Sequence, residues 1–192
     1  MVNGQQRDVW PKNNLKAGDW LLLNKPLGSG IILAADMQGK ADAEIVEQLW
    51  QHLLCSNRAF FQVLRKHDIH AATDVSGFGL VGHCLEMVDN SDLQININSH
   101  KVPLLAGALA LSQSGIASSL LPQLLPLKNR CTVSKTANMQ VIDLFFDPQT
   151  NGGLLVSVSP EVGAQLANIE SVIKIGEVTP RKDGSDKEVV IY

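Results

Sequence analysis

The residues best suited to chemistry lie in AATDVSGFGLVGH, residues 71–83, where one carboxylate stands among three glycines. The apolar residues before Asp74 predict a short buried strand, and the segment after Gly77 predicts a helix. Glycines between two such elements allow a tight turn and let a ligand approach the backbone closely. A carboxylate beside this turn can bind Mg²⁺, which bridges to phosphate oxygens, and a helix N-terminus favours anions. From these residues alone, Asp74 is equally well interpreted as the N-cap of the helix.

The same stretch also satisfies G-x-G-x-x-G, the fingerprint of dinucleotide-binding loops, through Gly77, Gly79 and Gly82. That fingerprint requires an acidic residue about 20 positions further on, at the end of the next strand. The corresponding segment, ININSHK, contains neither Asp nor Glu. We therefore do not expect a dinucleotide site. His83 is expected to be a packed or hydrogen-bonding helix residue rather than a metal ligand.

Two further loops carry polar residues and glycines. In NKPLGSG (24–30), Lys25 ends a predicted strand, where it could contact an anion or be an ordinary exposed lysine. In DPQTNGG (147–153), Asp147 begins a turn, and the paired glycines permit positive φ. A loop at the edge of a strand is a usual place for function, although a purely structural turn has the same composition.

Hydrophobic spacing predicts the elements that must position these loops. Apolar or alternating runs predict strands over 18–25, 70–75, 93–97, 154–159, 171–178 and 188–192. Helical spacing predicts helices over 43–54, around 60–64, and over 78–88, 103–113 and 160–169. The glycines of 26–30 are expected to end regular structure, and 115–140 is expected to be mostly loop with short helical pieces. The final pair of strands flanks the predicted turn PRKDGSD. The irregular alternation of strands and helices is typical of an α+β or α/β class.

Composition excludes several classes of protein. The chain has 192 residues, 45% of them apolar, and a net charge of −3, without a stripe of basic residues that would favour nucleic acid. No apolar run is long enough for a membrane span, and the polar N-terminus does not have the pattern of a signal peptide. The spacing of Cys55, Cys84 and Cys131 favours neither a zinc site nor a disulfide framework, so we expect reduced, buried thiols in a cytoplasmic protein.

Taken together, three stretches resemble the C-terminal domain of the selenophosphate synthetase (selenide, water dikinase) family. They are KPLGSG (25–30), ATDVSGFGLVGH (72–83) and DPQTNGGLL (147–155). The family has K-P-L-G-T-G, A-T-D-V-T-G-F-G-L-x-G-H and D-P-Q-T-S-G-G-L-L in the same order. AGDWLLLNKPLG and the closing IGEVTP are also similar, so the resemblance covers nearly the whole chain. The sequence departs from the pattern at Asn24 and Asn151, and at Ser76, where a hydroxyl is kept.

The resemblance implies an α+β fold. It is the three-layer α/β/α C-terminal domain of the aminoimidazole ribonucleotide synthetase type, with a mixed sheet and a partly ferredoxin-like arrangement. Residues 1–16 would be a polar lead-in or linker and 17–192 the domain itself, with the N-terminal ATP-binding catalytic domain absent from this chain. The family makes selenophosphate from selenide, ATP and water, releasing AMP and phosphate, for selenoprotein and seleno-tRNA synthesis. It requires Mg²⁺ and works as a homodimer with active sites between domains.

By the same resemblance, Asp74 coincides with a magnesium ligand. Residues of a possible active-site loop are Lys25, Gly28, Gly30, Thr73, Gly77, Gly79, Asp147, Thr150, Gly152 and Gly153. The catalytic Cys or selenocysteine and its Lys belong to the absent domain, so no catalytic residue is assigned here. The isolated chain is expected to fold and to be inactive. The alternatives are another ATP-using enzyme half of the same superfamily, or a non-catalytic dimerising or regulatory domain. The surface that would meet the absent domain should lie around these three loops, so we expect them on neighbouring parts of one face.

Overall fold

Seven strands form one mixed sheet in the computed structural model, which describes residues 9–182 and 186–192. They are β1 (Trp20–Leu23), β2 (Ala71–Asp74), β3 (Leu93–Ile97), β4 (Cys131–Val133), β5 (Leu154–Val158), β6 (Ile173–Pro180) and β7 (Val189–Ile191). The spatial order is β2-β5-β1-β6-β3-β7-β4. Neighbours from β2 to β3 pair antiparallel, whereas β7 and β4 join in parallel. The first strand within the described residues therefore lies between two strands that come late in the sequence, β5 and β6.

Helices cover both faces of this sheet within the described ranges. They are α1 (Ser29–Met37), α2 (Ala43–Leu54), α3 (Arg58–Leu64), α4 (Gly79–Val88), α5 (Ala108–Gln113), α6 (Leu121–Leu124) and α7 (Pro160–Leu166). Short 3₁₀ helices span Leu125–Arg130 and Ile142–Phe145. The predicted start of α7 is confirmed, with Pro160 in its first turn and the Ser159 hydroxyl accepting from Val162 N–H.

The alternation of side chains along β1 shows how the layers form. Leu21 and Leu23 belong to the main core, together with α4, while Leu22 faces the opposite way, into a cluster with α3 and α7. Successive residues of a strand point to opposite faces, so one apolar run buries both sides of the sheet. The three-layer α+β architecture with a mixed sheet is thus confirmed.

A separate apolar cluster joins α1, α2 and α5 beside the sheet. On α2 the inward stripe runs through Ile45, Leu49 and Leu53. The neighbouring stripe faces outward, and Trp50 and Leu54 on it are 52% and 83% exposed. The spacing of apolar residues along 43–54 correctly predicted a helix.

Three secondary-structure predictions need correction. Helix α1 was missed, because Gly28 makes the turn at φ +123° and an almost wholly apolar helix follows at once, without an amphipathic period. The helix predicted from 103 begins at Ala108, after Gly107 at φ +80°. The three-residue strand β4 gave no periodic signal. Of the predicted turn PRKDGSD, residues 183–185 lie outside the described residues, as do residues 1–8 of the predicted lead-in.

The described part of the lead-in contacts the edge of the sheet. Ala72 of the edge strand β2 donates its N–H to the carbonyl oxygen of Pro11 at 3.1 Å. The Trp10 ring meets the Phe61 ring edge-on, with centroids 5.2 Å apart. These contacts place the start of the described chain along β2, next to Asp74.

Candidate functional site

The three loops meet, and the Gln149 side chain is where they join. Its Oε1 accepts from Gly28 N–H at 2.8 Å, from Ser29 N–H at 3.2 Å and from the Ser29 hydroxyl at 3.1 Å. Its backbone N–H donates to the Ser76 carbonyl at 2.9 Å. One residue of DPQTNGG therefore binds both other motifs. The first N–H groups of α1 are occupied by this carboxamide rather than open to an anion.

Most glycines of the motifs are required by contacts between the loops themselves. A Cβ at Gly30 would lie 2.1 Å from the Pro148 carbonyl oxygen, and one at Gly152 would lie 2.2 Å from that of Val75. At Gly79, φ is +67°, a conformation that favours glycine. The space beside these glycines, which the sequence suggested was for a ligand, is therefore occupied by the backbone of neighbouring loops.

Both interpretations of Lys25 are corrected by the structure. Its side chain is only 5% exposed, and its ammonium group donates to the carbonyls of Cys55 at 2.6 Å and Asn151 at 3.0 Å. Asn151 in turn donates to the Leu53 carbonyl at 2.6 Å. The two side chains bind carbonyls at the C-terminal end of α2, which a helix leaves without partners. Burial lowers the pKa of Lys25, and the nearby Cys55 thiol partly opposes this shift.

Two asparagines complete this junction, and sequence reasoning missed their role. Asn24 accepts from Leu154 N–H at 2.7 Å and donates to Asn57 at 3.2 Å. Asn57 donates to the Gly152 carbonyl at 2.8 Å. Asn24 and Asn151, which depart from the family pattern, thus both make hydrogen bonds that fix loops. Asn57 lies outside every motif, so no local pattern could have indicated it.

Asp74 is exposed at the end of the edge strand β2, where its backbone pairs with Leu154. Helix α4 begins five residues later, its N-cap position is Phe78, and no side chain caps it. The interpretation of Asp74 as a helix cap is therefore wrong. The preceding Thr73 is buried, and its hydroxyl donates to the Asp74 carbonyl at 3.2 Å. The backbone that carries the Asp74 carboxylate is therefore held in place by the pairing of β2 with β5.

A cavity of about 200 Å³ adjoins this carboxylate. It is lined by Trp10, Phe61, Ala72, Thr73, Asp74 and Leu154. Across the described ranges, no group of three or more His, Cys, Asp or Glu side chains could hold a metal. Asp74 fits one position of an octahedral oxygen site, and the remaining ligands must come from elsewhere.

The exposed part of the three motifs is small. Besides Asn151, whose side chain donates to the Leu53 carbonyl, it comprises Asp74, Gly77, Phe78 and Thr150, and we call these four exposed residues the Asp74 edge. Phe78 is 53% exposed despite its size. Gly77 has an ordinary φ, and nothing lies within 4 Å of the position of an added Cβ. Among the motif glycines, Gly77 is therefore the one for which the sequence interpretation still holds: its lack of a side chain leaves room for a ligand or another part of the protein to approach the backbone.

Asp147 is the most deeply buried carboxylate of the motifs. It is 1% exposed, and among the described residues neither of its oxygens makes a hydrogen bond of good geometry. Burial raises its pKa, while the Ser118 hydroxyl and the backbone N–H groups of Ser118 and Ile31 are near enough to offset part of this shift. A side chain so enclosed cannot contact a ligand in this conformation, so its place in the possible active-site loop is structural.

We expect Asp147→Asn to stabilise the chain near pH 7 by about 1 kcal/mol or more, because it removes a buried, poorly paired charge. The folded-state pKa of Asp147 lies above the unfolded value of 3.8. The folded protein therefore binds the extra proton, and wild type loses stability relative to the variant as pH rises from 3.8 through the folded pKa. Urea unfolding of both proteins between pH 4 and 8 measures this difference. A variant clearly less stable than wild type at pH 7 would show that the charge is well compensated.

A buried Asp–His–Ser cluster on the sheet does not form a nucleophilic triad. Asp19 accepts from the Ser157 hydroxyl at 2.6 Å and lies 2.9 Å from His70 Nδ1. The hydroxyl donates to the carboxylate and not to the imidazole, so the hydroxyl–imidazole bond on which such a triad depends is not made.

The cysteines have no chemical role that the structure supports. Cys84 and Cys131 are buried as expected, and burial raises the pKa of both thiols, that of Cys131 to about 12. Cys55 is exposed, contrary to expectation, because it ends α2 and its backbone carbonyl carries the contacts to Lys25.

The fold and the joined loops define a domain class that a family comparison identifies. Residues 16–187 match the model of AIR synthase related protein, C-terminal domain, and the chain belongs to this family. Solved structures of the same fold include hydrogenase maturation protein HypE (TM-score 0.67, 16% identity, all of this chain and 53% of that chain). Thiamine-monophosphate kinase from Stenotrophomonas maltophilia is another (TM-score 0.62, 17% identity, covering 96% of this chain and 53% of that chain).

More similar in sequence are proteins named selenide, water dikinase. That of Bdellovibrio bacteriovorus is 37% identical over 190 residues, covering 95% of this chain and 53% of that protein. That of Clostridioides difficile is 35% identical over 179 residues, covering 86% and 50%. The chain thus spans about half the length of these relatives. No helix among the described residues is long and apolar enough to cross a membrane.

Proposed function

We propose that this chain is the C-terminal half of a selenide, water dikinase, the enzyme that makes selenophosphate. The reaction consumes ATP, selenide and water and yields selenophosphate, AMP and inorganic phosphate. The observation that carries the proposal is the identity of 37% over nearly the whole chain to a protein of that name. The joined motifs and the exposed Asp74 support it, because phosphoryl transfer depends on positioning and on neutralisation of phosphate charge.

In this proposal Asp74 supplies one oxygen ligand to Mg²⁺, and the N-terminal half supplies the other ligands and the selenium-handling residues. When bound, Mg²⁺ neutralises charge on the phosphates of ATP. The chain's own contribution is to hold the carboxylate at a fixed place on the Asp74 edge, where the strand β2 ends. The enzyme would act in the cytoplasm as a homodimer, with its active sites between the two halves of the protein.

The test is to assay the full-length protein with ATP, selenide and Mg²⁺ and to follow selenophosphate and AMP by ³¹P NMR. Formation of both products only when selenide is present supports the proposal. ATP consumption that does not depend on selenide would instead favour another enzyme of the same fold, and no ATP consumption would favour a non-catalytic domain.

The isolated chain offers a second test, of whether ATP and Mg²⁺ binding requires the N-terminal half of the protein. It is expected to fold and to show no ATP binding in the micromolar range by calorimetry with Mg²⁺, because a single carboxylate is a poor magnesium site. Tight binding of ATP, or hydrolysis of ATP by the pure chain, would contradict the half-site assignment.

A further inference from the structure

His83 makes two hydrogen bonds that fix its tautomer. It is 3% exposed on α4, and its Nδ1 lies 2.9 Å from Glu86 Oε2. An ionised carboxylate can only accept, so Nδ1 carries the hydrogen and Nε2 has a free lone pair. Ser76 N–H donates to that Nε2 at 3.0 Å. The glutamate therefore sets the imidazole as an acceptor for the backbone of the glycine loop.

The same atoms do not activate a nucleophile. The Ser76 hydroxyl lies 3.2 Å from His83 Nε2, so serine, histidine and glutamate follow one another as they would in a hydrolase. However, Nε2 has a single in-plane lone pair, and the Ser76 N–H already uses it. The arrangement therefore serves to hold the loop and not to remove a proton from the hydroxyl.

Ser76 is held on its carbonyl side as well. Its oxygen accepts from Gly79 N–H at 3.0 Å and from Gln149 N–H at 2.9 Å. Between Ser76 and Asp74, Val75 is fully buried and donates its N–H to the Gly153 carbonyl at 2.8 Å. Asp74 is thus fixed on one side by the pairing of β2 with β5 and on the other side by the bonds at Ser76.

We infer that His83, oriented by Glu86, is a positioning residue that holds the backbone at Ser76 and thereby sets the place of the Asp74 carboxylate. The inference rests on the proposed function, in which that carboxylate binds Mg²⁺. Groups that orient a metal ligand from behind typically change metal affinity by about 10–100-fold when they are replaced. His83 acts through the loop and does not itself contact the metal.

The test compares three variants of the full-length protein. His83→Leu removes the acceptor and should raise the Mg²⁺ concentration for half-maximal activity by about 10-fold. His83→Gln places a carboxamide oxygen near the position of Nε2 and should restore most of the magnesium dependence. Leu85→Ala, a buried change on the same helix, should lower thermal stability and leave the magnesium dependence unchanged. Equal magnesium dependence in His83→Leu and wild type would overturn the inference.

A readout without activity uses the 192-residue chain itself. Loss of the acceptor should speed hydrogen exchange of the Ser76 amide in His83→Leu relative to wild type and to Leu85→Ala. In the full-length variants, titration with Mn²⁺ followed by EPR should show weaker metal binding in His83→Leu than in the other two proteins. Slow Ser76 exchange in His83→Leu would contradict the inference. The proposed function has its own separate indicator, because ATP consumption that does not depend on selenide would contradict it whatever His83→Leu does. Normal magnesium dependence in Asp74→Asn would contradict only the assignment of Asp74 as a metal ligand.

Discussion

Asp74→Asn in the full-length enzyme should lower selenide-dependent AMP formation by about 100-fold or more, since removing one group that stabilises transition-state charge typically costs that much. The amide keeps the shape of the side chain but loses the negative charge that favours Mg²⁺. Because Asp74 is exposed and stands at the end of its strand, the melting temperature should not change. Product formation is followed by ³¹P NMR, and folding is followed by circular dichroism.

The matched control is Asp36→Asn, which neutralises an exposed aspartate on α1, outside the three motifs. It should retain wild-type turnover and stability. Turnover near wild type in Asp74→Asn would remove Asp74 from the metal site and leave its exposure without a functional explanation.

Gly30→Ala should destabilise the chain by about 3 kcal/mol, at the upper end of what an added methyl group costs in a packed interior. The new Cβ would stand 2.1 Å from the Pro148 carbonyl oxygen, and both partners are backbone segments tied by the bonds to Gln149. The expected result is a lower urea midpoint with little change in the slope of the transition. An alanine variant as stable as wild type would mean that the two loops can separate at little cost.

Gly77→Ala is the matched control from the Asp74 edge. Nothing lies within 4 Å of the added Cβ, and φ is ordinary, so stability should be unchanged or raised by about 0.5 kcal/mol. If activity of the full-length variant falls while stability does not, a ligand or the N-terminal half approaches Gly77. Comparison of Gly30→Ala with Gly77→Ala therefore distinguishes a glycine that is required for packing from one that is required for activity.

The sequence predicted the elements that have a regular period and the loops that have unusual composition. The strands around residues 20–23 and 154–158 and the helix at 43–54 follow directly from hydrophobic spacing. Helix α1 could not be predicted in this way, because between Ser29 and Asp36 it contains only glycine and apolar residues, so no repeated polar position marks a helical period.

Within the candidate site, sequence reasoning identified the three loops but not what holds them. The structure confirms the expectation that the loops are neighbours, through Gln149 and its bonds to Gly28 and Ser76. The placement of Lys25 could not be foreseen, because its partners are backbone carbonyls brought near by the end of another helix. Long-range contacts of this kind leave no local pattern in a sequence.

The position of β1 in the sheet has a consequence for how the chain reaches its fold during synthesis. Of the seven strands in this sheet β1 is made first, yet both of its neighbours, β5 and β6, come after residue 153. On the ribosome, the apolar segment Trp20–Leu23 therefore has no native pairing partner until β5 and β6 have been synthesised. Closing such distant pairs is entropically costly and slow, and unpaired apolar strands favour aggregation in the interval. Chaperone binding to the nascent segment that contains Trp20–Leu23 would protect this chain more than it would a domain built from adjacent hairpins.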